Sequence, residues 1–382
     1  MPVRHAETMT PRSLVLPPLR VSASFFTHFF SPSLPVPETD VVVGAGAASL
    51  LNHVFTLLLP PGTGVIIPAP YYAAFENDMS VLAHCVPLIC PCADPASGPT
   101  TADLEAAYEN AKRDNVNVGM LLLTNPNNPL GTIYSNSTVL SAIDWARNKN
   151  LQTIVDEIYA LSSFRPSPTP FNSILNYDDR RSDVHVIWAL SKDFGASGFR
   201  CGFLVTKNSE LKQALGNVNV FSAVSHPMQL VVADMLGDVK FCEGYLEKSQ
   251  QALLECYNVV VTRLQKLGLD YIEAYSGMFL WADLRSLMPE SSWEGEEAVT
   301  QLLFDEAGLL LTPGGAQRNG EPGFFRFCFA WHSRFVLDMA TDRLEEAVMN
   351  VRDRGWVDLD NEGREDKTVS GLRRRWSSYC GE

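Results

Sequence analysis

Between residues 41 and 190, short apolar runs of strand length alternate with longer runs of helical periodicity. The expected strands cover 41–43, 64–68, 81–89, 119–124, 152–155 and 184–190. The expected helices cover 47–58, 101–114 and 136–148. Such alternation predicts an α/β fold, in which helices cover both faces of a doubly wound, mostly parallel sheet. Because ligands of such sheets bind beyond the carboxyl ends of the strands, the residues that follow each run are candidates for a functional site.

The alternation ends after Arg200, and a chain of 382 residues is long enough for two compact domains. A long helical stretch is expected over 227–267, strands over 279–283, 309–311 and 324–330, and a helix over 336–352. The predicted parts are an N-terminal segment over 1–39, a large ligand-binding domain over 40–220, a smaller α+β domain over 221–354 and a charged tail over 355–382. We interpret the tail as a frayed terminus rather than as a binding element.

The bulk composition indicates a globular protein and argues against polyanionic partners. Hydrophobic residues make up 46% and charged residues 19% of the sequence, a balance typical of folded domains. The net charge of −14 argues against nucleic acid and anionic membrane surfaces as partners. The window over 41–59 is apolar enough to suggest a membrane span, but Gly44, Gly46 and the turn at 60–62 favour a strand, a glycine turn and a buried helix.

The eight cysteines are scattered along the chain, which indicates free thiols in a reducing compartment. We therefore expect a cytoplasmic protein, since the first twenty residues also lack the continuous apolar segment of a secretory signal. Cys90 and Cys92 have no second cysteine pair at ligand spacing, so no metal site is predicted.

The most informative local motif is Ser191-Lys192-Asp193, which follows the strand expected over 184–190. Arg200 lies eight positions beyond the lysine, after two glycines. A lysine amine at the mouth of a sheet, with a guanidinium nearby, is suited to pyridoxal phosphate. The amine forms a Schiff base with the aldehyde, and the guanidinium pairs with the phosphate. The alternative is a surface loop that carries two ordinary cations.

Two other expected strands end in polar residues suited to the same chemistry. Asn128 lies in a turn rich in asparagine and proline after the strand over 119–124. Asp156 follows the strand over 152–155, where a partly buried carboxylate needs a positive partner such as a protonated pyridine nitrogen. Tyr159 comes three positions later, placed to donate to the phenolic oxygen of the ring. A plain loop and a helix-capping aspartate are the alternatives for these motifs.

Three weaker motifs support the same site. Gly46 and Ala47 lie in a turn of small residues between a strand and a helix, where backbone N–H groups at a helix N-terminus can approach a phosphate. Tyr72 follows a proline-stiffened turn and is suited to stacking on a flat ring, although aromatic residues more often belong to a core. Arg326 lies in an apolar strand, where a guanidinium needs either a substrate α-carboxylate or a structural salt bridge.

Together these motifs resemble the class I/II aminotransferases of the fold-type I pyridoxal phosphate enzymes, and most of all the branch of 1-aminocyclopropane-1-carboxylate synthase-like proteins. The likeness extends over about residues 16–352, and the spacing from Asn128 to Asp156 and from Asp156 to Lys192 suits that family. The resemblance implies pyridoxal 5′-phosphate as cofactor, an amino acid and a 2-oxo acid as small-molecule substrates, and a homodimer.

The resemblance also implies a role for each motif residue. Lys192 would hold the cofactor and move the α-proton of the substrate. The other implied contacts are the ring nitrogen for Asp156, the ring oxygen for Asn128 and Tyr159, the ring face for Tyr72, the phosphate for Gly46, Ala47 and Arg200, and the substrate carboxylate for Arg326 with Asn128.

The sequence departs from the family pattern in three places. Ala189 stands where a phosphate-binding hydroxyl residue is usual, and the turn at Gly46 and Ala47 lacks the hydroxyl often found there. Each loss removes a charge-assisted hydrogen bond worth about 1.5–3 kcal/mol. The residues before about 16 do not match, so we expect the N-terminal segment to be truncated relative to the family.

Three functions follow from these observations. The first expectation is an aminotransferase that exchanges an amino group between an L-amino acid and a 2-oxo acid. The second is a lyase that eliminates a γ or β substituent, as the cyclopropane-forming synthases or carbon–sulfur lyases do. The third is a non-catalytic homologue that keeps the fold.

Overall fold

A mixed, mostly parallel sheet forms the centre of the first half of the chain in the computed structural model, which describes residues 16–30, 34–177 and 182–361. Its strands are β1 (Val41–Gly44), β2 (Gly64–Ala69), β3 (Val86–Pro91), β4 (Val118–Thr124), β5 (Gln152–Asp156), β6 (Val184–Ala189) and β7 (Gly202–Thr206). Their order is β1-β7-β6-β5-β4-β2-β3. The pairs β2–β3, β2–β4, β4–β5 and β5–β6 are parallel, whereas β7 is antiparallel to β1 and β6. The predicted α/β fold is confirmed.

Helices cover both faces of this sheet. They are α1 (Leu16–Phe29), α2 (Ala47–Leu58), α3 (Phe75–Ser80), α4 (Thr101–Arg113), α5 (Asn136–Asn148), α6 (Leu190–Asp193) and α7 (Ser209–Val218). On one face Phe25, Leu104 and Ile143 belong to a single buried cluster with β6. On the other face Leu50 and Leu211 belong to a second cluster. Every residue of β2 and β6 is consequently buried, as expected for parallel strands covered on both sides.

A smaller antiparallel sheet follows in the second half of the chain. Its strands are β8 (Tyr271–Ile272), β9 (Phe279–Asp283), β10 (Thr312–Pro313) and β11 (Phe324–Cys328), in the order β10-β11-β9-β8. The helices of this half are α8 (His226–Gly237), α9 (Val239–Lys266), α10 (Trp293–Asp305) and α11 (Arg334–Asn361). Val260, Phe325 and Leu344 belong to its buried core, whereas Val232 of α8 belongs to a core of the first sheet. The predicted boundaries at 40, 221 and 355 stay predictions.

Three expected elements differ in the structure, and several other elements were not expected. The helix expected over 227–267 is two helices, because the chain breaks at Asp238, whose carboxylate accepts a hydrogen bond from Phe241 N (3.0 Å) and caps α9. The strand expected over 81–89 begins only at residue 86, after His84 adopts a left-handed backbone with φ 53°. The strand expected over 309–311 is replaced by β10. The elements that were not expected are α1, α3, α6, α7, α10 and β8.

The apolar window over 41–59 is a strand, a glycine turn and a helix, as predicted, although the helix is buried only on the face of Leu50, Leu51, Val54 and Phe55. In the ranges that the structure describes, no helix is both long enough and apolar enough to span a membrane. The expected cytoplasmic location stays a prediction. The N-terminal residues 1–15 and the last part of the predicted tail, 362–382, lie outside the described residues.

Candidate active site

The carboxyl ends of the parallel strands open into a cavity of about 260 Å³. It lies between α2, α3, the ends of β4 and β5, and the turn formed by α6. Seven of the predicted site residues line it: Ala47, Tyr72, Asn128, Asp156, Tyr159, Lys192 and Arg200. The other two are next to it, since Gly46 precedes Ala47 and Arg326 is hydrogen-bonded to Asn128. The structure therefore brings the predicted site residues together.

Lys192 lies in the single turn of α6, directly after the buried strand β6. The turn is fixed by its neighbour Asp193, a buried carboxylate that accepts hydrogen bonds from Trp188 Nε1 (2.7 Å), Leu161 N (3.0 Å) and Ser162 Oγ. Burial lowers the pKa of Lys192, and the positive charge of Arg326 lowers it further. A larger fraction of the amine is thus neutral, the form that attacks an aldehyde.

Asp156 is the last residue of β5, and its side chain is buried. Its Oδ1 accepts a hydrogen bond from Ile158 N (3.1 Å). Burial raises the pKa of Asp156 to about 7. Among the described residues no basic side chain forms an ion pair with this carboxylate. Because a buried carboxylate is costly without a positive partner, the position fits a protonated ring nitrogen.

The residues predicted to bind the phosphate lie together, at the N-terminus of α2 and at Arg200. Gly46 caps the helix with a backbone φ of 86°, and a Cβ added there would lie 2.7 Å from Nη2 of Arg200. The guanidinium donates to Ala45 O and Ser197 O, both at 3.2 Å. Backbone N–H groups at a helix N-terminus beside a guanidinium form a site for a dianion.

Two serines near this end were missed by the sequence analysis. Ser191 and Ser197 both line the cavity, whereas Ala189, the position considered for a hydroxyl, is fully buried in β6. Their positions in the sequence could have indicated them, because Ser191 directly precedes Lys192 and Ser197 lies between Lys192 and Arg200. These hydroxyls supply hydrogen-bonding groups on the cavity wall.

Arg326 reaches from β11 of the second sheet to the asparagine turn of the first. Its Nη1 donates to Asn128 Oδ1 (3.1 Å) and its Nη2 to Thr312 Oγ1 (3.3 Å). Asn128 Nδ2 in turn donates to Tyr159 Oη (3.4 Å). The Nε atom of Arg326 is buried without a partner, and no carboxylate within the described ranges pairs with this guanidinium. The structural salt bridge is therefore not formed there, and the site fits a carboxylate ligand.

The side wall of the cavity contains Tyr72 and a residue that the sequence analysis missed. Tyr72 is half-exposed and packs edge to face against Phe75, with ring centroids 5.4 Å apart. Asp78 of α3 lines the same cavity, and burial raises its pKa to about 6. Nothing in the local sequence pattern identified it.

No group of three or more His, Cys, Asp or Glu side chains is arranged to hold a metal ion in the described part of the chain.

The residues present fit pyridoxal phosphate at each of its polar groups. An amine of lowered pKa is available for the aldehyde, an unpaired buried carboxylate for the ring nitrogen, and a helix N-terminus with a guanidinium for the phosphate. Because Gly46 has no Cβ, the space beside the guanidinium of Arg200 is not filled, and a phosphate can approach the N-terminus of α2 there.

Comparison with curated proteins finds similar sequences over most of the chain. It is 32% identical over 342 residues to 1-aminocyclopropane-1-carboxylate synthase 11 of Arabidopsis thaliana, an alignment that covers 88% of this chain and 72% of that protein. It is 33% identical over 311 residues to synthase 6 of the same plant, covering 80% and 62%. It is 30% identical over 356 residues to synthase 2 of Cucurbita pepo, covering 92% and 70%. The chain thus spans about two thirds of the length of these relatives.

Solved structures of aminotransferases share the fold. The aromatic aminotransferase of Pyrococcus horikoshii OT3 superimposes with a TM-score of 0.76 at 19% identity, covering 89% of this chain and 86% of that one. The aspartate aminotransferase of Thermus thermophilus with maleate gives 0.75 at 20% identity, covering 87% and 82%. These neighbours establish a fold-type I architecture.

A family model described as "Aminotransferase class I and II" matches residues 22–344, a range that contains every predicted site residue. The resemblance to the 1-aminocyclopropane-1-carboxylate synthase-like branch is confirmed by the relatives above. This chain belongs to the class I and II aminotransferase family of pyridoxal phosphate-dependent enzymes.

Proposed function

We propose that the protein removes the α-proton of an L-amino acid held at its pyridoxal phosphate site, with Lys192 as the base. The observation that carries this proposal is Arg326, a guanidinium with no carboxylate partner among the described residues. It belongs to the hydrogen-bonded set of Asn128 and Tyr159, which line the cavity of Lys192. A free carboxylate-binding group beside an amine of lowered pKa is what α-proton removal requires.

Each residue contributes a separate function to this step. The cofactor, when bound, supplies an electron-withdrawing ring that stabilises negative charge at the α-carbon of an attached amino acid. Arg326 binds and orients the substrate carboxylate through charge-assisted hydrogen bonds. Lys192 Nζ accepts the α-proton and returns it or passes it on. Asp156 balances the positive ring nitrogen, while Arg200 and the N-terminus of α2 hold the phosphate.

Elimination of a γ substituent is the outcome that we favour after proton removal. Its support is the 30–33% identity to proteins named 1-aminocyclopropane-1-carboxylate synthases. The electron pair left at the α-carbon would form a bond to the γ-carbon and displace the γ group, so that the Cα–H and Cγ–leaving-group bonds are broken and one Cα–Cγ bond is made. Transamination to a 2-oxo acid, the first expectation from the sequence, is the second candidate. Its support is the matched aminotransferase family model.

The cofactor site is tested by absorbance spectroscopy of the purified chain with pyridoxal phosphate, before and after borohydride. We expect a visible band that borohydride abolishes, and peptide mapping should find the pyridoxyl mass on Lys192. Lys192→Ala should lose both band and adduct, whereas Lys207→Ala, at an exposed lysine after β7, should keep them. An adduct elsewhere, or none, would contradict the proposal and favour a non-catalytic homologue.

The two reaction outcomes are separated by product analysis. The loaded enzyme is incubated with L-amino acids that carry a γ leaving group, with and without a 2-oxo acid acceptor. Release of the leaving group without any acceptor supports elimination. Formation of a new amino acid only when the acceptor is present supports transamination. Exchange of the α-proton with deuterium from solvent is expected in both cases, and its absence with every amino donor would count against α-proton removal itself.

The proposed assembly is a homodimer, as the family resemblance implies. The segment after α7 exposes apolar side chains that a second copy of the chain could cover: Val220 is 66%, Phe221 89% and Leu230 60% exposed. Asn219, beside them, is hydrogen-bonded to His53 of α2 (3.1 Å), the helix whose N-terminus lines the cavity. Apolar exposure of this extent in one segment is typical of an interface.

A further inference from the structure

The cavity contains a second carboxylate, partly buried, which the proposed function does not use. Asp78 of α3 lines the cavity together with Asp156, Tyr72 and Lys192. Its backbone oxygen accepts a hydrogen bond from Asn52 Nδ2 (2.9 Å). Its carboxylate takes part in no hydrogen bond or ion pair with residues in 16–30, 34–177 or 182–361. A desolvated carboxylate without a partner is costly, so its place in the wall favours a ligand with positive charge.

Among the described residues, no basic side chain of the elements packed around α3 is paired with Asp78. From α2, only the apolar residues Ala47, Ala48 and Leu51 line the cavity. The strand β3, which also packs against α3, contributes the uncharged thiol of Cys90 and no basic group. Glu76, the other acid of α3, forms an ion pair with Arg318, so its negative charge is already compensated.

The charged and titratable groups that share the cavity with Asp78 are arranged by sign. The cations Lys192 and Arg200 belong to the aldehyde and phosphate ends proposed above. At the Asp156 end the groups are acidic: burial is the main cause of the raised pKa of Asp156 and of Tyr72, and the negative charge of Asp78 raises both further. Tyr159 also lines the cavity. The cavity wall thus contains two carboxylates, Asp78 and Asp156, close enough for the charge of one to raise the pKa of the other.

We propose that Asp78 supports Asp156: its negative charge adds to that of Asp156, favours a protonated pyridine ring beside Asp156 and strengthens cofactor binding. The inference rests on the assignment of Asp156 to the ring nitrogen in the proposed function. Two carboxylates stabilise a cation more than one does, since their Coulomb interactions with it add. The ring takes its proton from solvent, and no covalent bond other than N–H is formed.

The test uses two probes that cannot react with Lys192. Pyridoxine 5′-phosphate carries an alcohol in place of the aldehyde, and its 1-deaza analogue has a CH group in place of the ring nitrogen. Calorimetry measures the affinity of the full chain for both. At pH 7.5 we expect Asp78→Asn to weaken binding of pyridoxine 5′-phosphate about tenfold, the equivalent of one pKa unit. Its affinity for the deaza analogue should be unchanged.

Matched variants separate charge from structure. Asp78→Glu keeps the charge and should retain the preference for the ring with a nitrogen. Asp78→Ser is a second neutral variant that should lose it. Glu109→Gln removes a charge from the exposed surface of α4 and should change neither affinity. Circular dichroism verifies that each variant is folded.

The pH dependence gives a further readout. Burial raises the pKa of Asp78 to about 6, so its charge is present above that pH and is lost as the pH falls through it. The difference in affinity between wild type and Asp78→Asn should therefore be largest above pH 7 and shrink below pH 6.

The outcomes distinguish the inference from the proposed function. Equal weakening of both probes by Asp78→Asn would mean that Asp78 shapes the cavity rather than acting through charge, and would overturn the inference. Selective weakening by Asp156→Asn with no effect of Asp78→Asn would overturn it as well, while the proposed function stands. If Asp156→Asn itself shows no selectivity between the probes, the assignment of the ring nitrogen is wrong, and the inference about Asp78 fails with it.

Discussion

Gly46 is the position at which a single methyl group would disturb the phosphate end of the site most directly. Its backbone has φ 86° and ψ 170°, a region that is essentially restricted to glycine. Its Cβ would lie 2.7 Å from Nη2 of Arg200, a distance that requires the guanidinium to move. Gly46→Ala therefore strains the turn and displaces a proposed phosphate ligand at the same time.

Two separate losses are expected from Gly46→Ala. The backbone strain should lower the free energy of unfolding of the cofactor-free chain by about 1–3 kcal/mol. The displaced guanidinium should remove one charge-assisted hydrogen bond to the phosphate, worth about 1.5–3 kcal/mol. That second loss corresponds to an increase of about 10- to 100-fold in the Kd for pyridoxal phosphate.

Urea unfolding of the cofactor-free chain measures the first loss, and absorbance titration with pyridoxal phosphate measures the second. Gly244→Ala is the matched control, because Gly244 lies inside α9 and no atom lies within 4 Å of an added Cβ. That change should raise the free energy of unfolding by about 0.5–1 kcal/mol and leave the Kd unchanged. If Gly46→Ala behaves like Gly244→Ala in both assays, the reasoning about the turn and about Arg200 is refuted.

Three further substitutions test other parts of the molecule. Arg326→Gln should raise the KM for the amino acid substrate about 10- to 100-fold, because it removes charge-assisted hydrogen bonds to the substrate carboxylate, and it should leave cofactor affinity unchanged. Steady-state kinetics measure the KM, and a loss of cofactor affinity alone would contradict this prediction. Phe221→Asp should convert the proposed dimer to monomer in sedimentation experiments, and an unchanged mass would place the interface elsewhere. His185 is buried between Thr206 Oγ1 and Gln152 Oε1, and burial lowers its pKa to about 4. As the pH falls, the unfolded chain therefore binds a proton before the folded chain does. Between pH 7 and pH 5 the free energy of unfolding of the wild type, measured with urea, should fall by about 2 kcal/mol more than that of His185→Gln. The same pH dependence in both proteins would exclude this cause.

Those site residues that follow buried strands were predictable from the sequence. Lys192, Asp156 and Asn128 each come after an apolar run, and parallel strands covered on both faces bring their carboxyl ends to one edge. The spacing of such residues is therefore enough to place them in one cavity. Arg326 was predictable for a different reason, since a cation inside an apolar strand needs an anion.

Residues on short irregular elements were not predictable. Asp78 lies on α3, a helix of six residues that is too short for a helical hydrophobic period to be recognised. Its position in the cavity depends on how α3 packs against α2, a contact between segments that local patterns do not encode. The break between α8 and α9 was missed because the apolar periodicity continues on both sides of Asp238, and only the side chain of that residue, which caps the start of α9, marks the break.

The hydrogen bond between Arg326 and Asn128 joins two sheets that are formed by different parts of the chain. The proposed substrate anchor, Arg326, therefore belongs to the part of the chain that forms the second sheet, while the amine of Lys192 belongs to the part that forms the first. A shift of about 1 Å between reacting groups is enough to slow a reaction about a hundredfold. Changes confined to the second sheet, even far from the cavity, can thus retune the rate by moving the α-carbon relative to the amine. Substitutions in the second sheet can therefore change which reaction is preferred without altering any residue predicted to bind the cofactor.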